Sequence, residues 1–260
     1  MDDKWGEKTI LIVGGTGGVG HATAIKYLKE GTNVMLADIN ASRLKEDVEK
    51  LSVYKGTVHQ VSCDIREVAD CENTIKETIA RFGRLDVLIN TAGVWVEGES
   101  EKSTEDEWNR VIDINLKGTY FMCSRAIPHL KKTQGCIINL SSDAGLVGNK
   151  EAAIYCASKG GVTLISKSLA LELAPFQVRV IPLCPSDIKT PMLDDQAKTY
   201  GKNDPEGYYK DLLKLYPQAE KARFIEAGEI AETIFFLSSN KALAFTGAPV
   251  SIDFGLTSGY

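Results

Sequence analysis

Short apolar runs alternate along the chain with longer stretches in which apolar residues recur every three or four positions. The runs are Thr9–Val13, Asn33–Ala37, Thr57–Val61, Leu85–Ile89, Cys136–Leu140, Val178–Leu183 and Pro249–Ile252. Two of them are nearly all apolar, through Ile10-Leu11-Ile12-Val13 and Val87-Leu88-Ile89. A strand of that kind is buried on both faces, as in a parallel sheet covered by helices. The stretches between have helical period: Val162, Ile165, Leu169 and Leu173 fall on one stripe, as do Val19, Ala22, Ile25 and Leu28. Parallel strands need crossovers of this length, so the pattern predicts an α/β fold, a doubly wound parallel sheet with helices on both faces.

At about 150 residues per domain, a chain of 260 residues lies between one and two domains. No repeat, low-complexity segment or Pro/Ser-rich linker divides it, so residues 1–260 read as one domain. The longest interruption of the pattern is 187–226, with Pro191, Pro205 and Pro217 and with Leu212, Leu213 and Leu215 embedded. Long insertions in compact domains are usually functional, and this one reads as a substrate lid with short helices.

Charge and composition narrow the classes. Lys and Arg total 30 against 35 Asp and Glu, a net −5, and 43% of residues are hydrophobic. That much apolar surface excludes global disorder, and the sign of the charge disfavours a protein that neutralises nucleic-acid phosphates. No apolar run approaches the ~20 residues of a membrane helix. The segment Met1–Lys8 is charged and does not read as a secretory signal. The six cysteines include no C-x-x-C pair and read as free thiols of a reducing compartment, so the expected location is cytoplasmic.

Of 23 glycines, five stand in Gly14-Gly15-Thr16-Gly17-Gly18-Val19-Gly20, between a predicted strand and a predicted helix. Glycines there let the backbone approach a ligand, and the helix start then offers N–H groups to a pyrophosphate. Asp38 ends the second strand, followed by Ile39 and Asn40. An acid there accepts from ribose hydroxyls and repels a 2′-phosphate. Nothing basic stands beside Asp38 or within the glycine run, so NAD is expected in preference to NADP. Helix N-capping is the other use of Asp38, and Asn40 or Ser42 serves that purpose equally well.

Of nine tyrosines, only Tyr155 has a lysine, Lys159, four residues on. On a helix the two share a face, where an ammonium lowers the pKa of a phenol that is otherwise a poor base. Ser141-Ser142 ends a strand upstream, Asn90-Thr91-Ala92-Gly93 ends another, and Asn115 lies between them. All would open at the carboxyl edge of the sheet, where such folds bind ligands.

With these motifs the sequence resembles the single-domain short-chain dehydrogenase/reductase family over nearly its whole length, with a Rossmann-type fold. They are Gly14/Gly18/Gly20, Asp64 in Cys63-Asp64-Ile65, Asn90-x-Ala92-Gly93, Asn115, Ser142, Tyr155-x-x-x-Lys159 and Pro185 to Thr190. The resemblance implies a general acid/base at Tyr155, with Lys159 lowering its pKa and binding the nicotinamide ribose. It places Ser142 on the substrate oxygen and Asn115 on a water of a proton relay. It puts the dinucleotide against Gly14, Thr16, Gly17, Gly18, Val19, Gly20, Asp38, Ile39, Asp64, Ile65, Asn90, Ala92, Gly93, Pro185, Ile188 and Thr190, as well as Tyr155 and Lys159. It also implies a homotetramer built through the helices around Trp108–Lys132 and Glu151–Ala174. Val13, Thr91, Pro182 and Ser186 depart from the family pattern, and Val13 loses a side-chain tie across the glycine turn.

A Ser-His-Asp hydrolase lacks a G-x-S-x-G and a late histidine here, and a zinc enzyme lacks H-E-x-x-H. A dinucleotide-sensing binding protein would be expected to have lost Tyr155, Lys159 or Ser142. The expected reaction is NAD-linked interconversion of a secondary alcohol and a ketone. Trp95, Asn149 and Met192, with Ser142 and Tyr155, are the expected substrate wall; Lys150, Glu151, Leu193 and Arg223 are further candidates. Their polarity points to a sugar, polyol or hydroxy acid, with a hydroxysteroid or bile acid as the alternative.

Overall fold

Thr9–Val13 forms β1, and every one of its side chains is buried. The computed structural model describes residues 3–258, so Met1 and Asp2 of the N-terminal reading lie outside the described residues. The other strands are β2 (Asn33–Asp38), β3 (Val58–Ser62), β4 (Val87–Asn90), β5 (Cys136–Leu140), β6 (Arg179–Pro185), β7 (Ile188–Lys189), β8 (Ile225–Glu226) and β9 (Val250–Ile252). Seven of them make one parallel sheet in the order β3-β2-β1-β4-β5-β6-β9. The order reverses beside β1, so the crevice of a doubly wound sheet opens at the carboxyl ends of β1 and β4.

The strand period of two divides the core. Ile10 and Ile12 pack with Tyr27 and Leu28 of α1 (Gly18–Lys29), Leu44 and Leu51 of α2 (Ala41–Leu51), and Ile230 and Ile234 further on. Leu11 and Val13 point to the opposite face. There they meet Ile75 of α3 (Val68–Phe82), then α4 (Glu105–Val111) is passed, and Met122 and Leu130 of α5 (Thr119–Thr133) and Leu169 and Leu173 of α6 (Ala153–Leu173) complete the layer. Continuous apolar strands occur where helices cover both faces. In the edge strand β3 only Val58 is buried; His59 and Val61 are half-buried and Gln60 and Ser62 exposed, in keeping with its more polar sequence.

Some elements differ from the sequence reading. In α1 the fully buried residues are Thr23, Ala24, Tyr27 and Leu28, while Ala22 and Ile25 are partly buried. The helix is covered from two directions, because Tyr27 hydrogen-bonds Ser238 of the last helix, Ala227–Ser238. β6 runs on to Pro185 because it gains β9 as a second partner from Leu183 onward. Pro182, which donates no backbone hydrogen bond, stands just before that pairing begins. Segment 187–226 is largely ordered structure: α7 (Pro191–Tyr200), α8 (Pro205–Leu213), then α9 (Ala227–Ser238) after it. Its ends meet in a parallel β7–β8 ribbon, Ile188 against Ile225 and Lys189 against Glu226. Two-residue strands carry no period that a sequence reading detects.

Candidate active site

The glycine turn joins β1 to α1. Gly17 caps α1 with no side-chain acceptor, so the first-turn N–H groups face outward without a side-chain partner. Val13 brings no hydroxyl to the turn, but Thr91 does. Its Oγ1 donates to the carbonyls of Val13 at 2.8 Å and Gly14 at 3.2 Å, and its N–H donates to Val13 O. One departure from the family pattern thus compensates the other.

Asp38 faces this turn. Its Oδ2 accepts from Thr16 N at 3.1 Å and Thr16 Oγ1 at 2.8 Å, and its Oδ1 accepts from Asn40 N. The cap of α2 is Asn40, which accepts from Arg43 N, so Asp38 is not spent on capping. The expectation of nothing basic nearby is corrected by Arg43. The first turn of α2 carries it into the wall of the same cleft as Gly17–Gly20.

That cleft, open to solvent, runs from the glycine turn across Thr91 and Gly93 to Ser142, Tyr155 and Lys159. Lys159 is 4% exposed, and its Nζ donates to Leu140 O at 2.7 Å and lies 5.6 Å from the Tyr155 ring centre. Burial pushes the lysine down to about 8. Burial also lifts Tyr155 above the ordinary phenol range, and the negative charges of Asp143 and Asp187 add to this. The expected lowering of Tyr155 by its lysine is therefore not what this state shows. The ammonium is engaged at Leu140, and desolvation and two carboxylates dominate.

Ser142 lies beside Tyr155; its Oγ donates to Asp143 Oδ1 at 2.6 Å and accepts from Ala144 N. Ser141, the competing serine, turns away: its Oγ donates to Lys159 O and pairs with Thr163. Asn115 sits in a π-helical stretch, Ile112–Gly118, between α4 and α5. Such stretches are rare and frequent at functional sites. The asparagine side chain accepts from Val94 N at 2.8 Å and donates to Val94 O and Ser158 Oγ, which fixes the loop after β4.

Comparison with known proteins agrees with this geometry. The family model described as short chain dehydrogenase matches residues 8–201. The chain belongs to the short-chain dehydrogenases. It is 33% identical over 265 residues to trans-4-hydroxycyclohexanecarboxylate dehydrogenase of Sinomonas cyclohexanicum, covering 100% of this chain and 96% of that one. It is 34% identical over 257 residues to meso-2,3-butanediol dehydrogenase of Serratia marcescens, covering 98% and 96%. The structure of levodione reductase superposes with a TM-score of 0.92 at 27% identity, covering 98% and 99%. The protein is thus an oxidoreductase of a family that uses nicotinamide dinucleotides.

For this short-chain dehydrogenase, the remaining sequence-predicted residues divide by position. Pro185, Ile188 and Thr190 line the cleft, and Thr190 packs directly on Gly18. Gly14 and Ala92 meet behind it, and Ile39 stays 61% exposed next to Asp38. Asn90 is corrected: its side chain donates to Asn139 and Cys123 inside the sheet and does not reach the cleft. Asp64 spends its carboxylate on Arg66, and Ile65 packs on Gly118; neither lines the cleft.

On the substrate side, Trp95 packs against Tyr155 with ring centres 4.3 Å apart and planes tilted by 57°, and Asn149, Met192 and Leu193 share the wall. Lys150 and Glu151 pair with each other on the surface. Arg223 pairs with Glu229 away from the cleft, because Glu229 caps the start of α9. The sequence reading missed Arg43; Asp143, Asp187 and Gln196 fall in the segments it expected on the wall, Asp143–Glu151 and the lid, but it did not single them out. Adjacency to Ser142 and to Pro185 was the available signal for the two acids.

Proposed function

We propose that the protein interconverts a secondary alcohol and a ketone with NAD, on a hydroxylated small molecule. The observation that supports this most is the convergence of Tyr155, Lys159 and Ser142 at one end of a cleft whose other end is the glycine turn. The turn fits a dinucleotide. Its helix start is free of side-chain caps, and Gly14 and Gly20 leave no space for a Cβ between turn and neighbour.

The glycine turn and Asp38 would hold the dinucleotide, which would supply the hydride acceptor for the carbinol carbon, or the hydride donor in the reverse direction. Tyr155, as the phenolate that the charge of Lys159 and of a cationic nicotinamide would favour, takes the hydroxyl proton as the C=O bond forms, and as the phenol supplies it in the reverse direction. Ser142 orients the substrate oxygen. Lys159 places a positive charge near the Tyr155 ring and would reach the ribose, and Asn115 holds the loop after β4 and would hold a relay water. Segment 187–226 acts as the lid, closed at its base by β7–β8. The test is absorbance of NADH with a panel of secondary alcohols and sugars against steroids. Faster turnover of steroids would refute the hydroxylated class, and absence of turnover with every alcohol would refute the reaction.

The dinucleotide is NAD in this reading, because the Asp38 carboxylate lies at the turn. Arg43 favours a second reading, NADP, since a guanidinium at that end pairs with a phosphate. Asp38→Ala is expected to lower the NAD/NADP ratio of kcat/KM by roughly tenfold or more, because it removes a charge that repels a 2′-phosphate. An unchanged ratio would give the selectivity to Arg43.

The assembly in this reading is a homotetramer. Trp108, Tyr120, Leu164 and Leu171 are between 44% and 80% exposed on the helices α4, α5 and α6 that would form it. Light scattering at four chain masses is expected; a monomer mass would refute it. The cytoplasm is the proposed location, supported by six cysteines without a disulfide. Among the described residues no helix is long and apolar enough to cross a membrane.

A further inference from the structure

Two carboxylates stand on the substrate wall beside Tyr155, and the proposed reaction uses neither. Asp143 is held by Ser142 through Oδ1, with Asn149 Nδ2 at 3.5 Å from Oδ2. Asp187 is anchored from α8's far end: the Tyr216 hydroxyl donates to its Oδ2 at 2.9 Å, and its own N–H donates to the Tyr216 oxygen. Its Oδ1 takes no hydrogen bond from the described residues. Ser186, between Pro185 and Asp187, is only 7% exposed; its Oγ is itself buried and has no hydrogen-bond partner among the described residues.

The cations of the cleft lie elsewhere. Lys159 is committed beneath Tyr155, and Arg43 stands at the glycine turn. Arg110 enters only in an outer recess, beyond Trp95, with Met192, Gln196 and Asp195. Beside Tyr155 the wall is therefore acidic. Burial, with the charge of Asp143 adding to it, pushes Asp187 up to about 6.

Resting on the dehydrogenase reading above, we propose that Asp143 and Asp187 recognise a hydrogen-bond-donating group, hydroxyl or ammonium, on the carbon next to the carbinol. The same wall excludes a carboxylate at that position, because a third negative charge in a desolvated site has no cation to meet it. The 2-hydroxy acids are thereby removed from the substrate class. A carboxylate several bonds away is not excluded, since the outer recess offers Arg110.

Four probes differ only at the neighbouring carbon: 1,2-propanediol, 1-amino-2-propanol, 2-butanol and lactate. They are titrated calorimetrically into the full chain loaded with NADH, so that no hydride moves. The diol and the amino alcohol are expected to bind roughly tenfold or more tighter than 2-butanol, and lactate weaker, as charge complementarity requires. Asp187→Asn and Asp143→Asn are expected each to reduce the amino alcohol/2-butanol affinity ratio by roughly tenfold. A stronger diol than amine assigns the donor to a hydroxyl, and the reverse assigns it to an ammonium. Lactate binding as tightly as the diol, or an unchanged ratio in both variants, would overturn the proposal. Turnover of the same probes with NAD is read separately. Its absence would fall on the proposed reaction, while the binding order still decides the recognition.

Discussion

Tyr155→Phe is expected to lower turnover by roughly 10²- to 10⁴-fold, the usual contribution of a positioned acid/base. The substitution removes one oxygen and keeps the ring. Tyr155 is 9% exposed, and its ring packs against Trp95 with centres 4.3 Å apart, so the phenylalanine fills the same space. Melting temperature and dinucleotide affinity should stay near those of the parent, since the glycine turn and Asp38 are untouched. The measurement pairs NADH absorbance on a secondary alcohol with a dinucleotide titration of the same sample. Undiminished turnover would remove Tyr155 from the proton transfer. Lost binding would show that its role is to hold the dinucleotide.

The second large effect belongs to the backbone. Gly14→Ala combines two penalties. Gly14 has φ +79°, a left-handed conformation that costs a residue with a Cβ about 1 kcal/mol. The added methyl would also lie 2.6 Å from Ala92 N and 2.8 Å from Ala92 Cα, and backbone cannot rotate out of the way as a side chain can. Overpacking of this kind typically costs about 1–3 kcal/mol. Together they predict a loss of about 2–4 kcal/mol, against about 5–15 for a whole domain, so the variant folds but is weakened.

Function should fall further than stability, because the strain is relieved by parting the glycine turn from Thr91-Ala92-Gly93, and the dinucleotide needs both. Urea denaturation and a dinucleotide titration read the two effects. Gly148→Ala is the comparison: a Cβ there meets nothing within 4 Å, so little change is expected, within about 0.5 kcal/mol. Equal stability of the two variants would contradict the close approach.

How far the sequence was legible depends on what each residue's role requires. β1 and β4 were readable because burial on both faces forces an apolar run, and local composition records it. The family resemblance implies Ser142 and not Ser141 on the substrate oxygen; in the structure Ser141 is bonded into α6. Asn90 was misplaced because a strand-end side chain points either into the sheet or out of it, and Asn139, 49 residues away, decides which. Arg223 was misplaced for a similar reason, its partner Glu229 belonging to the cap of α9. The β7–β8 ribbon was invisible, because a two-residue strand is defined by its partner and not by any period.

By itself the sequence determined the alternation of strands and helices, the glycine turn and the Tyr155–Lys159 pair. Each is set by neighbours within a few residues, through burial period, backbone freedom or helical spacing. Only the tertiary structure decided the charge of the site. It brought Arg43, Asp143 and Asp187 from three separate elements to one cleft, and it left Ser186 buried without a partner. The pKa of Tyr155 follows from that company and not from its local sequence. Desolvation and Coulomb energy depend on distance in space, and the chain order of these residues does not contain it.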